Sequence, residues 1–143
     1  MRNPRITKVL FSNARADRRR GGEVRVLLSP VTVGSTSGFM GVATLEPGEF
    51  ISEHYHPYSE EFLYVTRGSI VARLDGEPIA LSAGEALLVP KNTRHRLENP
   101  GTEQASLVFQ LGPLAPRPEL GHVDTEAHPN PGPNPALHVG GAR

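Results

Sequence analysis

The chain has 143 residues, and its 15 lysines and arginines are balanced by 15 aspartates and glutamates. This length predicts one domain with a buried core, and the zero net charge gives no indication of nucleic acid or an anionic membrane as a partner. Because the chain contains no cysteine, disulfides, thiolate metal sites and cysteine nucleophiles are all excluded.

Residues 1–23 are predicted to form an N-terminal arm before the first strand. Their apolar stretch, Val9-Leu10-Phe11, is too short for a secretory signal or a membrane span. We therefore expect a cytoplasmic protein without a membrane partner. The arm also contains a run of three arginines, Arg18-Arg19-Arg20, which we interpret as a solvated loop.

Residues 24–112 carry short runs that are rich in apolar and β-forming residues and are separated by turns. Between two of these runs, Asp75-Gly76 predicts a two-residue type I′ hairpin turn, because this turn needs positive φ at both positions. No window of a dozen residues keeps a helical apolar stripe. The pattern predicts an all-β fold, a jelly-roll sandwich or barrel of antiparallel strands. The predicted strands cover residues 24–28, 39–45, 62–65, 69–74, 79–81, 86–89 and 105–111.

Four side chains in the middle of the chain have the types and spacing of a metal site. His54 and His56 are two residues apart, and since successive side chains of a strand point to opposite faces, both project from the same face. Pro57-Tyr58-Ser59 predicts a turn, after which Glu61 opens a returning strand. Together with His95, these imidazoles and the carboxylate suit zinc, iron, manganese, nickel or cobalt and leave positions open for water or substrate. The alternative is a hydrogen-bonded polar cluster without a metal.

Residues 113–143 differ in composition from the predicted strands. Seven of the 14 prolines lie at positions 113–135, and proline lacks the backbone donor that a sheet ladder needs. We expect a proline-rich C-terminal tail that is extended, folds back in part on the barrel, and is disordered over its last dozen residues.

His122 lies in a fairly apolar stretch of this tail, Leu120-Gly121-His122-Val123, which can fold back over the predicted metal site. If it does, the imidazole becomes an additional ligand or replaces Glu61. In the second case, the displaced carboxylate orients a ligand or acts as a general base. The alternative is a solvated loop histidine. His128 and His138 lie among prolines and glycines and are not expected to bind the metal.

Two glycine-bounded blocks, residues 48–68 and 84–99, resemble the two signature motifs of the cupin superfamily. The first block contains the paired histidines and the glutamate, and the second contains the third histidine. One departure is Asn92, where the family usually has glycine, but asparagine tolerates a left-handed turn. The resemblance implies a jelly-roll barrel with the metal inside it.

Residues 57–65 and 115–122 also resemble the cupin-type cyclases of aromatic polyketide pathways, such as those that make tetracenomycin and resistomycin. This resemblance implies a metal-dependent polyketide cyclase that guides aldol-type ring closure of a poly-β-keto intermediate in antibiotic biosynthesis. It implies a divalent metal, with zinc as the leading candidate. The expected partner is an aromatic polyketide intermediate, free or tethered to an acyl carrier protein that could dock on the arginine run. A homodimer is expected.

Two other functions fit the same residues. A three-histidine, one-carboxylate site with open positions also suits ferrous iron and dioxygen, which makes an iron-dependent cupin oxygenase the first alternative. A non-enzymatic cupin that binds a small ligand is the second, since a fold does not fix a function. Anaerobic turnover with zinc excludes the oxygenase, and metal-independent ligand binding indicates the binding protein.

Overall fold

The computed structural model describes residues 7–132, in which ten strands form two five-stranded antiparallel sheets. The strand orders are β1-β2-β9-β4-β7 and β10-β3-β8-β5-β6. The strands are β1 (Glu23–Leu28), β2 (Phe39–Leu45), β3 (Phe50–Tyr55), β4 (Glu60–Arg67), β5 (Ser69–Leu74), β6 (Glu77–Ser82), β7 (Ala86–Val89), β8 (His95–Glu98), β9 (Ala105–Gly112) and β10 (Val123–Asp124). The predicted all-β architecture is confirmed. The end of the predicted tail, residues 133–143 with His138, lies outside the described residues.

The helical segments within residues 7–132 are short. Two are single 3₁₀ turns, Phe11–Asn13 and Pro118–Leu120, and the third is the four-residue helix α1, Pro30–Val33. Ser29 caps α1 by accepting a hydrogen bond from the Thr32 backbone, and the Thr32 hydroxyl in turn accepts one from the Ser29 backbone. No helix within residues 7–132 is long and apolar enough to span a membrane.

The core lies between the two sheets and is built by alternation along the strands. In β2 and β9, which are adjacent in the first sheet, every second side chain is buried. These side chains pack with apolar residues of the second sheet, such as Ile51, Ala72 and Leu97, in one hydrophobic cluster. Each fully buried leucine-sized side chain contributes about 1.5–3 kcal/mol relative to an exposed one. The cluster therefore supplies most of the driving force that closes the two sheets on each other.

The turns predicted from left-handed residues are confirmed. Asp75 and Gly76 have φ of 49° and 85°, and the flanking strands pair in register from Leu74 and Glu77. Asn92 has φ of 64°. An asparagine therefore takes the left-handed conformation that glycine usually supplies at this position of the second motif.

Strands β3 and β8 carry histidines of the predicted site but were not among the runs predicted from β-forming residues. The sequence of β3 is Phe-Ile-Ser-Glu-His-Tyr, and that of β8 is His-Arg-Leu-Glu. Inward positions that hold polar site residues break the apolar alternation by which a strand is recognised. The local sequence pattern therefore does not predict these two strands, because their inward face carries polar site residues instead of apolar core residues.

The segment after β9 returns to the barrel. Ala115 is buried, and β10 adds to the edge of the second sheet by pairing Val123 with Tyr55 and Asp124 with His54. Arg96 binds Glu126 at 3.1 Å, and the same carboxylate accepts a hydrogen bond from the backbone of Glu53. Residues 113–126 are thereby tied to the strands that carry the histidines.

The interpretation of Arg18-Arg19-Arg20 as a solvated loop is wrong for two of the three residues. The side chain of Arg18 is 57% exposed, whereas those of Arg19 and Arg20 are each 16% exposed. The cause is the Gly21-Gly22 pair that follows, which folds the backbone tightly against the barrel. Both glycines have positive φ, and a Cβ added to Gly21 would lie 1.8 Å from the carbonyl oxygen of Phe50.

Asp17 provides a test of how this arm is held. It accepts hydrogen bonds from the backbone and guanidinium of Arg19, and its backbone bridges to Val24. Burial raises the pKa of the Asp17 carboxyl, but the hydrogen bonds from Arg19 outweigh it, so the pKa lies below the usual 3.8. A folded-state pKa below the unfolded value stabilises the fold above the unfolded pKa, and this contribution is lost as the pH falls through the folded pKa.

We therefore expect Asp17→Asn to lower the free energy of unfolding at pH 7 by about 1 kcal/mol. The difference from the parent protein should shrink once the pH falls below the usual value of 3.8. Urea unfolding at pH 7 and pH 3 measures both quantities. Glu119→Gln is the matched control, because this carboxylate is 64% exposed and pairs with an equally exposed arginine. Equal unfolding free energies of Asp17→Asn and parent at pH 7 would contradict the role given to Asp17.

Candidate metal centre

The fold brings His54, His56, Glu61 and His95 together from both sheets. His54 in β3 pairs directly with His95 in β8, and His56 follows β3 by one residue. Glu61 reaches the same point from β4 of the other sheet. One ligand atom from each of the four side chains lies within 4.8 Å of all the others, and all four residues are buried.

Backbone carbonyls fix the orientation of the three imidazoles. The Nδ1–H groups of His54, His56 and His95 donate to the carbonyl oxygens of Ser52, Gly121 and Thr93, at 2.7, 2.9 and 2.9 Å respectively. Since a carbonyl only accepts, each neutral ring carries its proton on Nδ1 and presents the lone pair of Nε2 to the cluster. This arrangement is typical of metal-binding histidines, whose second nitrogen is held by a hydrogen-bond acceptor.

The atoms that face the centre of the cluster lack hydrogen-bond partners among the described residues. His56 Nε2, Glu61 Oε1 and His95 Nε2 are all buried in this state. Nevertheless, Glu61 Oε1 lies 2.8 Å from His95 Nε2 and 3.5 Å from His56 Nε2. Lone pairs of two acceptors repel at this distance, so the arrangement requires a cation, either a proton or a metal ion. Nitrogen and oxygen donors converging in a buried site fit a divalent transition metal.

The pKa shifts in the cluster favour an ionised carboxylate that can bind a cation. Burial raises the pKa of the Glu61 carboxyl, but the adjacent rings of His56 and His95 outweigh burial and hold that pKa well below the usual range. Burial lowers the pKa of His95, but the adjacent Glu61 carboxylate outweighs burial and raises it. For His54, burial and the neighbouring histidines hold the pKa well below 6.5. The cluster therefore keeps its carboxylate ionised and the His54 ring neutral, as metal binding requires.

His122 borders this cluster, and its side chain is only 6% exposed. The alternative of a solvated loop histidine is therefore wrong. Its ring stacks on that of His54, with centroids 4.2 Å apart, and its Nε2 lies 3.0 Å from Asp124 Oδ1. Burial lowers the pKa of His122 to about 3, so the ring is neutral near pH 7, and its Nδ1 has no hydrogen-bond partner in residues 7–132. Glu61 stays within the four-residue group, and His122 lies beside it.

The cluster lies in the wall of a cavity of about 50 Å³ that is otherwise mainly apolar. Its apolar lining comes from both sheets, and the polar part includes Asp17 and Arg20 from the N-terminal arm and His122 from the tail. Pockets that hold drug-sized ligands measure roughly 300–1,000 Å³, so a ligand of that size requires the cavity to enlarge. The apolar side chains are Val24, Ala43, Ile51, Leu97, Leu107, Phe109 and Leu111.

Comparisons with known proteins agree with this fold. A family model described as "Cupin domain" matches residues 41–110. Protein SchB from Streptomyces halstedii is 63% identical to the chain over 118 residues, which cover 82% of this chain and 86% of SchB. The chain belongs to the cupin family. This cupin is also 52% identical over 134 residues to the tetracenomycin polyketide synthase protein TcmJ from Streptomyces glaucescens, covering 94% of the chain and 89% of TcmJ.

Among solved structures, the polyketide cyclase RemF from Streptomyces resistomycificus superposes on this cupin with a TM-score of 0.68. The match covers 88% of this chain and 89% of RemF at 16% sequence identity. At this identity, the superposition shows that the two proteins share the barrel fold.

Sequence analysis missed three contributions to the site of this cupin. Arg20 lines the cavity, Asp124 holds the His122 ring, and the carbonyl of Gly121 fixes the tautomer of His56. Arg20 and Asp124 are 104 positions apart in sequence, yet they form a 3.1 Å ion pair. No local pattern predicts such pairing, although the glycine pair after Arg20 is a signal that this backbone makes a close approach.

Proposed function

We propose that this cupin is a metal-dependent polyketide cyclase that guides aldol-type ring closure of a poly-β-keto intermediate in aromatic polyketide biosynthesis. The observation that carries the proposal is the buried histidine–glutamate cluster in the wall of a mainly apolar cavity. The nitrogen and oxygen atoms that face the centre of this cluster have no hydrogen-bond partner among the described residues. The high identity to a tetracenomycin polyketide synthase protein supports the choice of pathway. Poly-β-keto chains alternate methylene and carbonyl groups, and the cavity has apolar walls for the carbon chain and polar side chains for the carbonyl oxygens.

His54, His56, Glu61 and His95 are the proposed metal ligands. When bound, a divalent cation, with zinc as the first candidate and iron, manganese, nickel or cobalt as the others, supplies Lewis acidity that polarises a ketone oxygen. The backbone carbonyls at the three Nδ1 atoms keep the imidazoles oriented before any ligand arrives. Because the rings need no rearrangement, less reorganisation accompanies the reaction.

His122 is proposed as an additional ligand beside Glu61 and not as its replacement. The Asp124 carboxylate accepts the proton of its Nε2–H, which leaves the lone pair on the buried and unpartnered Nδ1. The low pKa of this ring keeps that lone pair free over the whole physiological pH range. Asp124 thus acts on the His122 ring as a backbone carbonyl acts on each of the other three rings.

The apolar walls determine which ring forms. Leu107, Phe109 and Leu111 from one sheet and Ile51 and Leu97 from the other hold the chain so that one carbonyl approaches one methylene carbon. A reactive poly-β-keto chain undergoes unguided aldol reactions in water, and its exclusion from solvent suppresses them. Product specificity is therefore expected to reside in the shape of the cavity.

Reconstitution with a minimal aromatic polyketide synthase tests this function. The synthase with its acyl carrier protein is run with and without the metal-loaded cupin, and the products are compared by mass spectrometry and absorption spectra. We expect the cupin to shift the mixture of spontaneous products towards one defined ring pattern. An unchanged product distribution would contradict the cyclase. Repeating the reaction with a chain released from the carrier protein distinguishes a free substrate from a tethered one.

We propose that two copies associate through the outer face of the first sheet. Phe62 and Tyr64 of β4 and Leu88 of β7 are 48%, 48% and 44% exposed, and Phe62 pairs with Leu88 across the two strands. Aromatic residues at the centre of an interface are the ones that cost most on truncation. A second copy of the same face covers these side chains.

Phe62→Glu is expected to weaken self-association by about 10- to 100-fold, because it places a charge in an apolar contact. Sedimentation velocity over a concentration series measures the change. Val31→Glu is the matched control, since Val31 is 45% exposed on α1 and lies outside the face. A parent protein that remains monomeric at high concentration, or equal association of parent and Phe62→Glu, would refute this interface.

A further inference from the structure

Arg20 is a cationic side chain in the wall of an otherwise mainly apolar cavity. It lines the same cavity as the histidine–glutamate cluster, and its side chain is 16% exposed. The Asp124 carboxylate that it binds is 32% exposed, so this end of the cavity is the one that approaches solvent. A guanidinium placed here is not a generic surface charge, because burial of a long charged side chain has a cost that an exposed position avoids.

The backbone around Arg20 is held firmly. The carbonyl oxygen of Arg20 accepts a 2.8 Å hydrogen bond from the Ser52 backbone N–H, two residues before His54. The next residue, Gly21, packs so closely on Phe50 that no side chain fits, and a Cβ added to Gly22 would lie 2.5 Å from Leu45 Cδ2. The position of Arg20 is therefore coupled to β3, the strand that carries the first of the clustered histidines.

The carboxylates near Arg20 do not bind all the N–H groups of its guanidinium. Asp17 is engaged by Arg19 through both of its oxygens. Asp124 is shared, because Arg20 Nε and His122 Nε2 lie 3.1 and 3.0 Å from Oδ1, and His128 Nε2 lies 3.0 Å from Oδ2. Within residues 7–132, the bond from Nε to Asp124 is the one side-chain hydrogen bond of Arg20, whereas a guanidinium has donors on all three nitrogens.

We propose that Arg20 binds an anionic oxygen of the ligand, an enolate or phenolate, at the solvent-facing end of the cavity. A planar guanidinium with free donors matches a delocalised oxyanion, and hydrogen bonds between charged groups are the strong ones. When a base in the solvent takes an α-proton from a β-diketone, the electron pair of the C–H bond moves to the carbonyl oxygen, and a fixed cation nearby stabilises that charge. The ligand class rests on the proposed function, but the contact itself does not require turnover.

The test is a binding titration with benzoylacetone, an aromatic β-diketone whose enolate has its own absorption band. The zinc-loaded protein is titrated at constant pH, the enolate band is followed, and the zinc content of each variant is measured. Arg20→Gln is expected to weaken enolate binding by about tenfold at unchanged zinc content. Arg20→Lys should lie between the two, because an ammonium keeps the charge without the planar donors. Arg18→Gln is the matched control, as Arg18 is 57% exposed and does not line the cavity.

Binding of a neutral ketone of similar size, benzylacetone, separates ligand binding from a structural role, and it is measured by competition with the enolate. If the Arg20–Asp124 pair only holds the tail in place, Arg20→Gln weakens binding of the neutral ketone as much as that of the enolate. If Arg20 binds the anionic oxygen, Arg20→Gln weakens enolate binding and leaves binding of the neutral ketone unchanged. Should Arg20→Gln fail to fold, the comparison of Arg20→Lys with the parent decides, and equal affinities overturn the proposal.

Three further results would overturn the role of Arg20. They are an absence of enolate binding to the parent protein, equal affinity of Arg20→Gln and parent, and loss of zinc in Arg20→Gln. The proposed function fails separately, in the products of the reconstituted synthase. A cupin that binds the enolate through Arg20 but leaves those products unchanged refutes the cyclase and keeps this inference. If the cupin changes those products but Arg20→Gln binds the enolate as tightly as the parent does, the role of Arg20 is refuted and the cyclase is retained.

Discussion

Replacement of His54, His56 or His95 by alanine is expected to lower zinc affinity by more than about 100-fold and to abolish cyclisation. Loss of a hydrogen-bond partner of a metal ligand typically costs about 10- to 100-fold, and loss of the ligand itself should exceed that. Each variant also removes one of the three imidazoles that lie with Glu61 in the cluster. Elemental analysis after dialysis against a weak chelator measures the occupancy.

The barrel should survive these substitutions, because the hydrophobic cluster between the sheets does not include the histidines. Far-ultraviolet circular dichroism checks this point. His128→Ala is the matched control, since His128 lies near Asp124 but outside the four-residue group, and it should retain full occupancy. Full zinc occupancy in all three variants of the cluster would refute the assigned ligands.

Glu61→Gln is expected to weaken zinc binding by about 100-fold at pH 7.5 and to change how affinity depends on pH. The first effect follows because an amide oxygen lacks the negative charge that the buried site supplies to the cation. The second follows from His95. Burial lowers the pKa of this ring, but the Glu61 carboxylate outweighs burial and raises it above 6.5. A proton therefore competes with zinc for His95 Nε2 at a higher pH than it would for an ordinary histidine.

Below the pKa of His95, zinc affinity of the parent should fall about tenfold per pH unit, because one proton must be expelled for each ion bound. Glu61→Gln removes the carboxylate that raises the pKa of His95. Burial then lowers this pKa, so the His95 ring stays neutral to lower pH. The affinity of this variant should therefore change less between pH 7.5 and 6. Competition with a chromophoric chelator across this range measures both curves, and Glu85→Gln, at an exposed carboxylate, is the control. An equal dependence of zinc affinity on pH in Glu61→Gln and parent would contradict the effect of Glu61 on His95.

The sequence predicted the parts of the fold that depend on local pattern. The bounds of β2, β5 and β7 agree with the predicted runs at 39–45, 69–74 and 86–89. In each case β-forming residues lie between turn residues, and Asp75-Gly76 and Gly84 end strands for the same conformational reason. The four clustered residues were found because strand parity and the two glycine-bounded blocks specify them together. Strands β3 and β8 were missed where those residues replace apolar ones.

The rest depends on contacts between distant parts of the chain. β10 is only two residues long and exists because it pairs with β3, which no property of Val123 and Asp124 alone predicts. The position of Asp124 beside the His122 ring follows from that pairing. The composition of the tail does not determine whether His122 is buried or solvated, because this depends on how the tail packs on the barrel.

Anaerobic turnover by the zinc-loaded cupin is the decisive test of a metal-dependent cyclase. The protein is freed of metal, reloaded with zinc, and supplied with the poly-β-keto chain from a minimal synthase in the absence of oxygen. We expect a defined ring-closed product, formed with zinc and not with the metal-free protein, and no requirement for oxygen. Product formation that requires iron and consumes oxygen, or that proceeds equally without metal, would contradict this function.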